Sequence, residues 1–217
     1  MTERTDLIIV LDRSGSMEQA RADHEGGLRS FVCDSQNLAG DVRLTFVRFD
    51  SADPCEVVFE AKPIREVKPE QLTLVPRGGT PLLDAVGESL TRFGVFPGPV
   101  ICMVITDGQE NQSRKWEKDG VQKLVKDREA AGWKVLYLGA NVDEFAEART
   151  LGVAGNAALG YLAQADSIST TYASAFANLS NTYSARATGQ SWNQAMQNMN
   201  WTAAQRTATK TDDKEMK

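Results

Sequence analysis

The chain has 217 residues, 41% of them hydrophobic and 24% charged, with a formal net charge of −5. That length supports one sizeable hydrophobic core rather than two full domains. The acidic balance and the lack of any Lys/Arg block argue against a nucleic-acid partner. No apolar run reaches membrane-spanning length, and Met1-Thr2-Glu3-Arg4-Thr5 is too short and polar to be a signal peptide. Cys33, Cys55 and Cys102 are far apart and odd in number. They read as buried free thiols in a reducing compartment, hence a cytoplasmic protein, and not as a zinc site.

The run Leu7-Ile8-Ile9-Val10-Leu11 shows no polar–apolar alternation. A strand apolar on both faces belongs in the middle of a sheet covered by helices on both sides. It stops at Asp12, after which Asp12, Ser14 and Ser16 present three side-chain oxygens at alternate positions around Gly15, where the backbone can turn tightly. One carboxylate and two hydroxyls aimed at a common point suit a hard cation such as Mg²⁺. The plainer reading is a Ser/Gly turn whose hydroxyls cap the next helix. That helix, from Met17 to about Leu38, carries Leu28, Phe31, Val32 and Ser35 as its core-facing stripe. His24, between Asp23 and Glu25, reads as a solvated surface residue. As the single histidine it leaves no Ser-His-Asp triad to build.

Val42 to Phe49 alternates as a strand, Asp50 to Pro54 is a turn, and Glu56 to Glu60 is a short strand. So tight a connection predicts an antiparallel hairpin at the sheet edge. Residues 63–76 are irregular, with a helical turn at Pro69 to Leu72. Gly78-Gly79-Thr80-Pro81 is a glycine turn that presents a hydroxyl, with Thr80 as cap and Pro81 opening a helix to Phe93. Leu82, Leu83, Val86, Leu90 and Phe93 form that helix's buried face. Val100 to Thr106 is a second all-apolar strand, and it ends in Asp107.

A polar loop, Gln109 to Arg114, leads to an amphipathic helix from Lys115 to Ala131, with Trp116, Val121, Leu124 and Val125 inward and Gly132 as its stop. Trp133 to Leu138 is a strand, Val142 to Thr150 a short helix, and Ala154 to Tyr161 holds a last strand. Such alternation predicts an α/β fold of Rossmann-like, doubly wound type. Its sheet is mostly parallel with one antiparallel edge strand, helices lie on both faces, and a C-terminal helix follows. Residues 1–187 form the domain. Its final helix, capped by Asp166 or Ser167, turns Tyr172, Phe176, Leu179 and Tyr183 toward the sheet. Residues 188–217 are a polar tail. Trp192, Ala195, Met196, Met199 and Ala203 share one face if it is helical, for docking on this chain or on a partner. Thr207 to Lys217 is expected to be disordered.

Asp12-x-Ser14-x-Ser16, Thr80 and Asp107 thus fall, in order, on three loops at strand ends, where open α/β sheets build their sites. On this five-part pattern the sequence resembles the von Willebrand factor type A (VWA) family, in its small single-domain bacterial and phage form. The likeness runs from Leu7 to about Tyr161, through 45–50, 80–87, 106–111 and 138–141. The resemblance implies a metal-ion-dependent adhesion site (MIDAS) made of Asp12, Ser14, Ser16, Thr80 and Asp107. Ser14, Ser16 and Thr80 would bind the metal directly, while Asp12 and Asp107 would act mostly through water. The implied ion is Mg²⁺, with Mn²⁺ or Ca²⁺ as alternatives. Neutral hydroxyls leave much of a dication's charge uncompensated, so the implied activity is binding rather than catalysis. An Asp or Glu of a partner protein would complete the coordination, with neither nucleic acid nor membrane as partner.

Two rivals remain. Haloacid-dehalogenase-type phosphatases also place an Asp after the first strand, but their general acid two residues on is here Ser14, which has no useful proton affinity near neutrality. No nucleotide-binding glycine motif appears. Glu110 and Asn111 read as capping the following helix or lining the rim, in preference to positioning a water. The other rival is a structural assembly component joined through the C-terminal helix and tail.

Overall fold

The computed structural model describes residues 4–140 and 143–210. Strand β1 (Arg4–Asp12) is the hub, as its unbroken apolar run requires: Leu7 through Leu11 are essentially sealed from solvent. It pairs in parallel with β2 (Asp41–Phe49) on one side and β4 (Val100–Thr106) on the other. Strand β3 (Glu56–Pro63) adds antiparallel to β2, and β5 (Lys134–Ala140) and β6 (Ala158–Tyr161) extend the parallel part beyond β4. The sheet order is β3-β2-β1-β4-β5-β6, which places the switch in direction between β1 and β4. A doubly wound sheet has its ligand crevice there, at the carboxyl ends of the strands.

Two helix pairs cover the sheet: α1 (Arg21–Ser35) with α5 (Ala165–Ala187), and α2 (Leu82–Arg92) with α3 (Lys118–Ala130). A short α4 (Glu144–Thr150), capped by the Asp143 side chain, leans on β5 and β6. No helix among the described residues is long and apolar enough to cross a membrane. The α1–α5 pair is close because Gly27 faces Tyr172: a Cβ there would lie 2.3 Å from the ring.

Several expectations shift in detail. A 3₁₀ turn, Gly15–Glu18, precedes α1, so the helix proper starts at Arg21. Helix α3 begins at Lys118, three residues late, because the backbone N–H groups of Arg114, Lys115 and Trp116 are held by the Asp84 carboxylate. Thr80 does not cap α2. Pro81 holds the cap position, and the free N–H of Leu83 goes to Glu110 instead. Asp166 and Ser167 lie inside α5 rather than at its cap, which is Gln164. Of the three cysteines, all free, only Cys102 is buried. Cys33 is exposed on the outer side of α1, and Cys55 is half-buried in the turn before β3.

His24 is not solvated. It is 1% exposed, with Nδ1 3.2 Å from the Tyr172 hydroxyl and Nε2 3.4 Å from the Tyr161 hydroxyl. Its neighbours Asp23 and Glu25 suggested a surface, but His24 precedes Leu28 by four and Phe31 by seven residues, on the same helical stripe. Burial pushes its pKa down to about 4 from an ordinary 6.5. The unfolded chain therefore binds the extra proton first as pH falls, so stability is full above about pH 6.5 and is lost toward pH 4. Between pH 7.5 and 5 this one group should cost about 2 kcal/mol. Urea unfolding of wild type and His24→Gln at both pH values checks it, because the buried carboxyls are common to both proteins and cancel. An equal pH dependence in the two would contradict the assignment.

The segment after α5 docks on this chain. Helices α6 (Trp192–Gln197) and α7 (Ala203–Ala208) open with Ser191 and Thr202 capping boxes. Ala195, Met196, Met199 and Trp201 are buried, whereas Ala203 is exposed. The Trp201 indole donates to the Ala157 carbonyl. Arg206 donates to the carbonyl of Ala158 and the Thr209 hydroxyl to that of Gly160, so α7 and its end cover the outer edge of β6. Thr207 and Ala208 are helical and Thr209 is buried, contrary to the expected disorder. Residues 211–217, like Val142, lie outside the described residues.

Candidate metal centre

Asp12 ends β1 with both carboxylate oxygens engaged. One accepts the Ser14 N–H at 2.6 Å, and the other accepts the Thr106 hydroxyl at 2.6 Å. The first bond folds the Asp-x-Ser turn back on itself, and the second ties the ends of β1 and β4 together. The Ser14 and Ser16 hydroxyls then lie 3.0 Å apart, and Ser16 donates to Asp107 Oδ1 at 2.6 Å. Four of the five expected residues are thus joined in one hydrogen-bonded chain.

Thr80 reaches the same place from a third loop. A Cβ on Gly108 would lie 2.9 Å from the Thr80 hydroxyl oxygen and 3.7 Å from that of Ser16, so the two hydroxyls flank one small opening. Backbone bonds hold the loop there: Gly15 N–H donates to Gly78 O at 3.0 Å and Arg77 N–H to Arg13 O at 2.8 Å. Thr80 and Asn111 exchange two more, with the Thr80 N–H on Asn111 Oδ1 and the Asn111 N–H on Thr80 O.

The sequence reading missed the parts that hold these loops. Thr106 anchors Asp12, although its place before Asp107 at the end of an apolar strand was a visible signal. Asp50, fully buried, accepts from Arg13 and Arg77 and from the N–H groups of Ala52 and Asp53, joining three loops. Burial alone would raise its pKa, but the Arg77 bond, the two N–H groups and the Arg13 charge outweigh it and hold Asp50 below its usual range. Glu110 receives the N–H groups of Leu83, Gln112 and Ser113. It therefore caps α2, which precedes it, and not the helix that follows.

The electrostatics favour a cation. Burial lifts Asp12 to about 7, with the Asp107 charge adding a little to the rise, and burial also raises Asp107. Among the described residues, neither carboxyl forms an ion pair with an arginine or lysine. No cluster of three or more His, Cys, Asp or Glu side chains is placed to hold a metal among the described residues, so a conventional carboxylate, imidazole or thiolate centre is not on offer. The hydroxyl set fits a hard, partly hydrated ion, with Ser14, Ser16 and Thr80 as oxygen donors and two carboxylates behind them. Substituting Asp12→Asn or Asp107→Ala should lower Mg²⁺ affinity by about 10–100-fold, measured by titration calorimetry. An unchanged affinity in both would remove them from the site.

No family model matches the chain, and no curated protein matches it in sequence. Solved structures do match in fold. The von Willebrand factor type A protein from Catenulispora acidiphila superposes with a TM-score of 0.60 at 17% identity, over 83% of this chain and 43% of that one. Proximal thread matrix protein 1 from the mussel byssus gives 0.60 at 16% identity, over 81% and 45%. The form of that mussel protein with a zinc-occupied MIDAS motif gives 0.55 at 17% identity, over 81% and 45%. The chain spans less than half the length of each of these structures. The fold is that of a von Willebrand factor type A domain: a six-stranded, mostly parallel Rossmann-like sheet with one antiparallel edge strand.

Proposed function

We propose that this chain is a metal-dependent protein-binding module of the MIDAS kind. Asp12, Ser14, Ser16, Thr80 and Asp107 hold Mg²⁺ or a similar dication, and a partner's Asp or Glu completes its coordination. The observation that carries the reading is the meeting of three loops at one opening, flanked by the Thr80 and Ser16 hydroxyls and backed by two carboxyls that form no ion pair among the described residues. A bound dication supplies an anion-seeking centre there. The protein's part is to fix the hydroxyls and to keep Asp12 and Asp107 turned toward them.

Binding rather than catalysis is the better account. Asp12 has a pKa near neutrality, but Ser14 and Thr106 occupy both its oxygens, so it is not presented to a substrate as an acid or base. Assembly through the tail is weaker, because Met196, Met199 and Trp201 are spent on the chain's own core. Three free thiols accord with a reducing, cytoplasmic setting.

The test is partner capture by wild type and Thr80→Ala, each with magnesium and with chelator. Thr80→Ala should weaken capture by about 2–5 kcal/mol, while the metal itself, still held by two serines, loses less. Capture that ignores both chelator and Thr80 would refute the metal bridge.

A further inference from the structure

A cavity of about 420 Å³ opens at the amino end of β5, at the opposite end of the sheet from the metal loops. Its walls come from the end of α3, the start of β5, the loop before β6, and helix α6 with the turn that follows it. That volume lies within the usual range for small-molecule sites, about 300–1,000 Å³. Trp133 and Met196 give it an apolar side, and Asn156 and Asn193 supply amides that both donate and accept.

Two opposite charges face it, Glu129 from α3 and Lys134 from β5. Burial lowers the Lys134 pKa and raises that of Glu129, and each one's charge is the main force restoring the other. Lys134 Nζ donates to Asn200 Oδ1 at 3.1 Å, which leaves donors of its ammonium unspent.

We propose that this cavity binds a small zwitterion, a free α-amino acid, with its carboxylate on Lys134, its ammonium on Glu129 and its side chain against Trp133 and Met196. The charges decide among ligand classes. An anion alone is repelled by Glu129, a cation alone by Lys134, and a neutral sugar leaves both charges without a ligand partner. A zwitterion meets both. Because α6 and its following turn form one wall, occupancy also ties the C-terminal segment to the sheet.

The experiment is titration calorimetry of the full chain against the common free amino acids, with chelator present so that the metal loops play no part. At least one amino acid should bind at micromolar to millimolar Kd. Its methyl ester and its N-acetyl derivative should each bind at least about tenfold more weakly, as should Lys134→Met and Glu129→Gln proteins toward the parent. The ester and N-acetyl arms use unaltered protein, so a variant that fails to fold does not spoil the test. The proposal fails if no amino acid binds at millimolar concentration, if the blocked derivatives bind as well as the parent, or if a neutral monosaccharide binds in their place.

Discussion

Trp201→Ala is expected to destabilise the protein by about 3–5 kcal/mol, the cost of truncating a buried tryptophan. The indole is 5% exposed and packs into the main core, its Nε1 donates to Ala157 O at 3.0 Å, and its backbone N–H donates to Asn156 O at 3.0 Å. An alanine keeps only the backbone bond. It leaves a cavity and an Ala157 carbonyl with no indole partner. For a chain of this size the melting temperature should fall by roughly 6–20 °C, at about 2–4 °C per kcal/mol. Trp192→Ala is the contrast: Trp192 is only partly buried, on Tyr183 and under Arg186, and should cost clearly less. Urea unfolding of both variants measures the difference. A Trp201→Ala loss below that of Trp192→Ala would mean that the C-terminal segment is not part of the cooperative core.

The second large effect is that of metal on folding. Burial raises both Asp12 and Asp107, and a dication held as proposed would bind the folded arrangement but not the unfolded chain. At a free concentration about 1,000 times its Kd, a metal adds ~4.1 kcal/mol by mass action. That should raise the melting temperature by roughly 8–16 °C over the chelated protein. The shift should shrink sharply in Asp107→Ala, and also in Gly108→Ala, whose Cβ would crowd the Thr80 hydroxyl. Calorimetric scans in magnesium and in chelator that coincide for the wild type would contradict an ion at this site.

The fold was readable from sequence where one physical demand dominates. The apolar runs at 7–11 and 100–106 have no polar face, so they had to be central parallel strands, and the tight Asp50–Pro54 turn forced an antiparallel neighbour. The candidate residues Asp12 and Asp107 stood out because one closes an apolar strand and the other directly follows one. What escaped were partners distant in sequence. The Asp84 carboxylate delays α3 across roughly thirty residues of chain, with |i−j| of 30 to 32. Glu110 caps a helix that precedes it, and Asp50 binds arginines on two other loops. His24 was misplaced because its charged neighbours outweighed its spacing to Leu28 and Phe31. Side-chain to backbone bonds across loops leave no periodic mark on the sequence.

The cover on the outer edge of β6 has a consequence for synthesis. The Ala158 carbonyl waits for Arg206 and the Gly160 carbonyl for Thr209, separations of 48 and 49 residues. At about 5–20 residues per second, a ribosome leaves that interval open for roughly 2–10 s. During that time the rest of the sheet is already made, and its last strand offers unpaired N–H and C=O groups to any neighbouring nascent chain. Crowded polysomes therefore expose the protein to strand pairing between copies, and slower synthesis widens that window rather than relieving it.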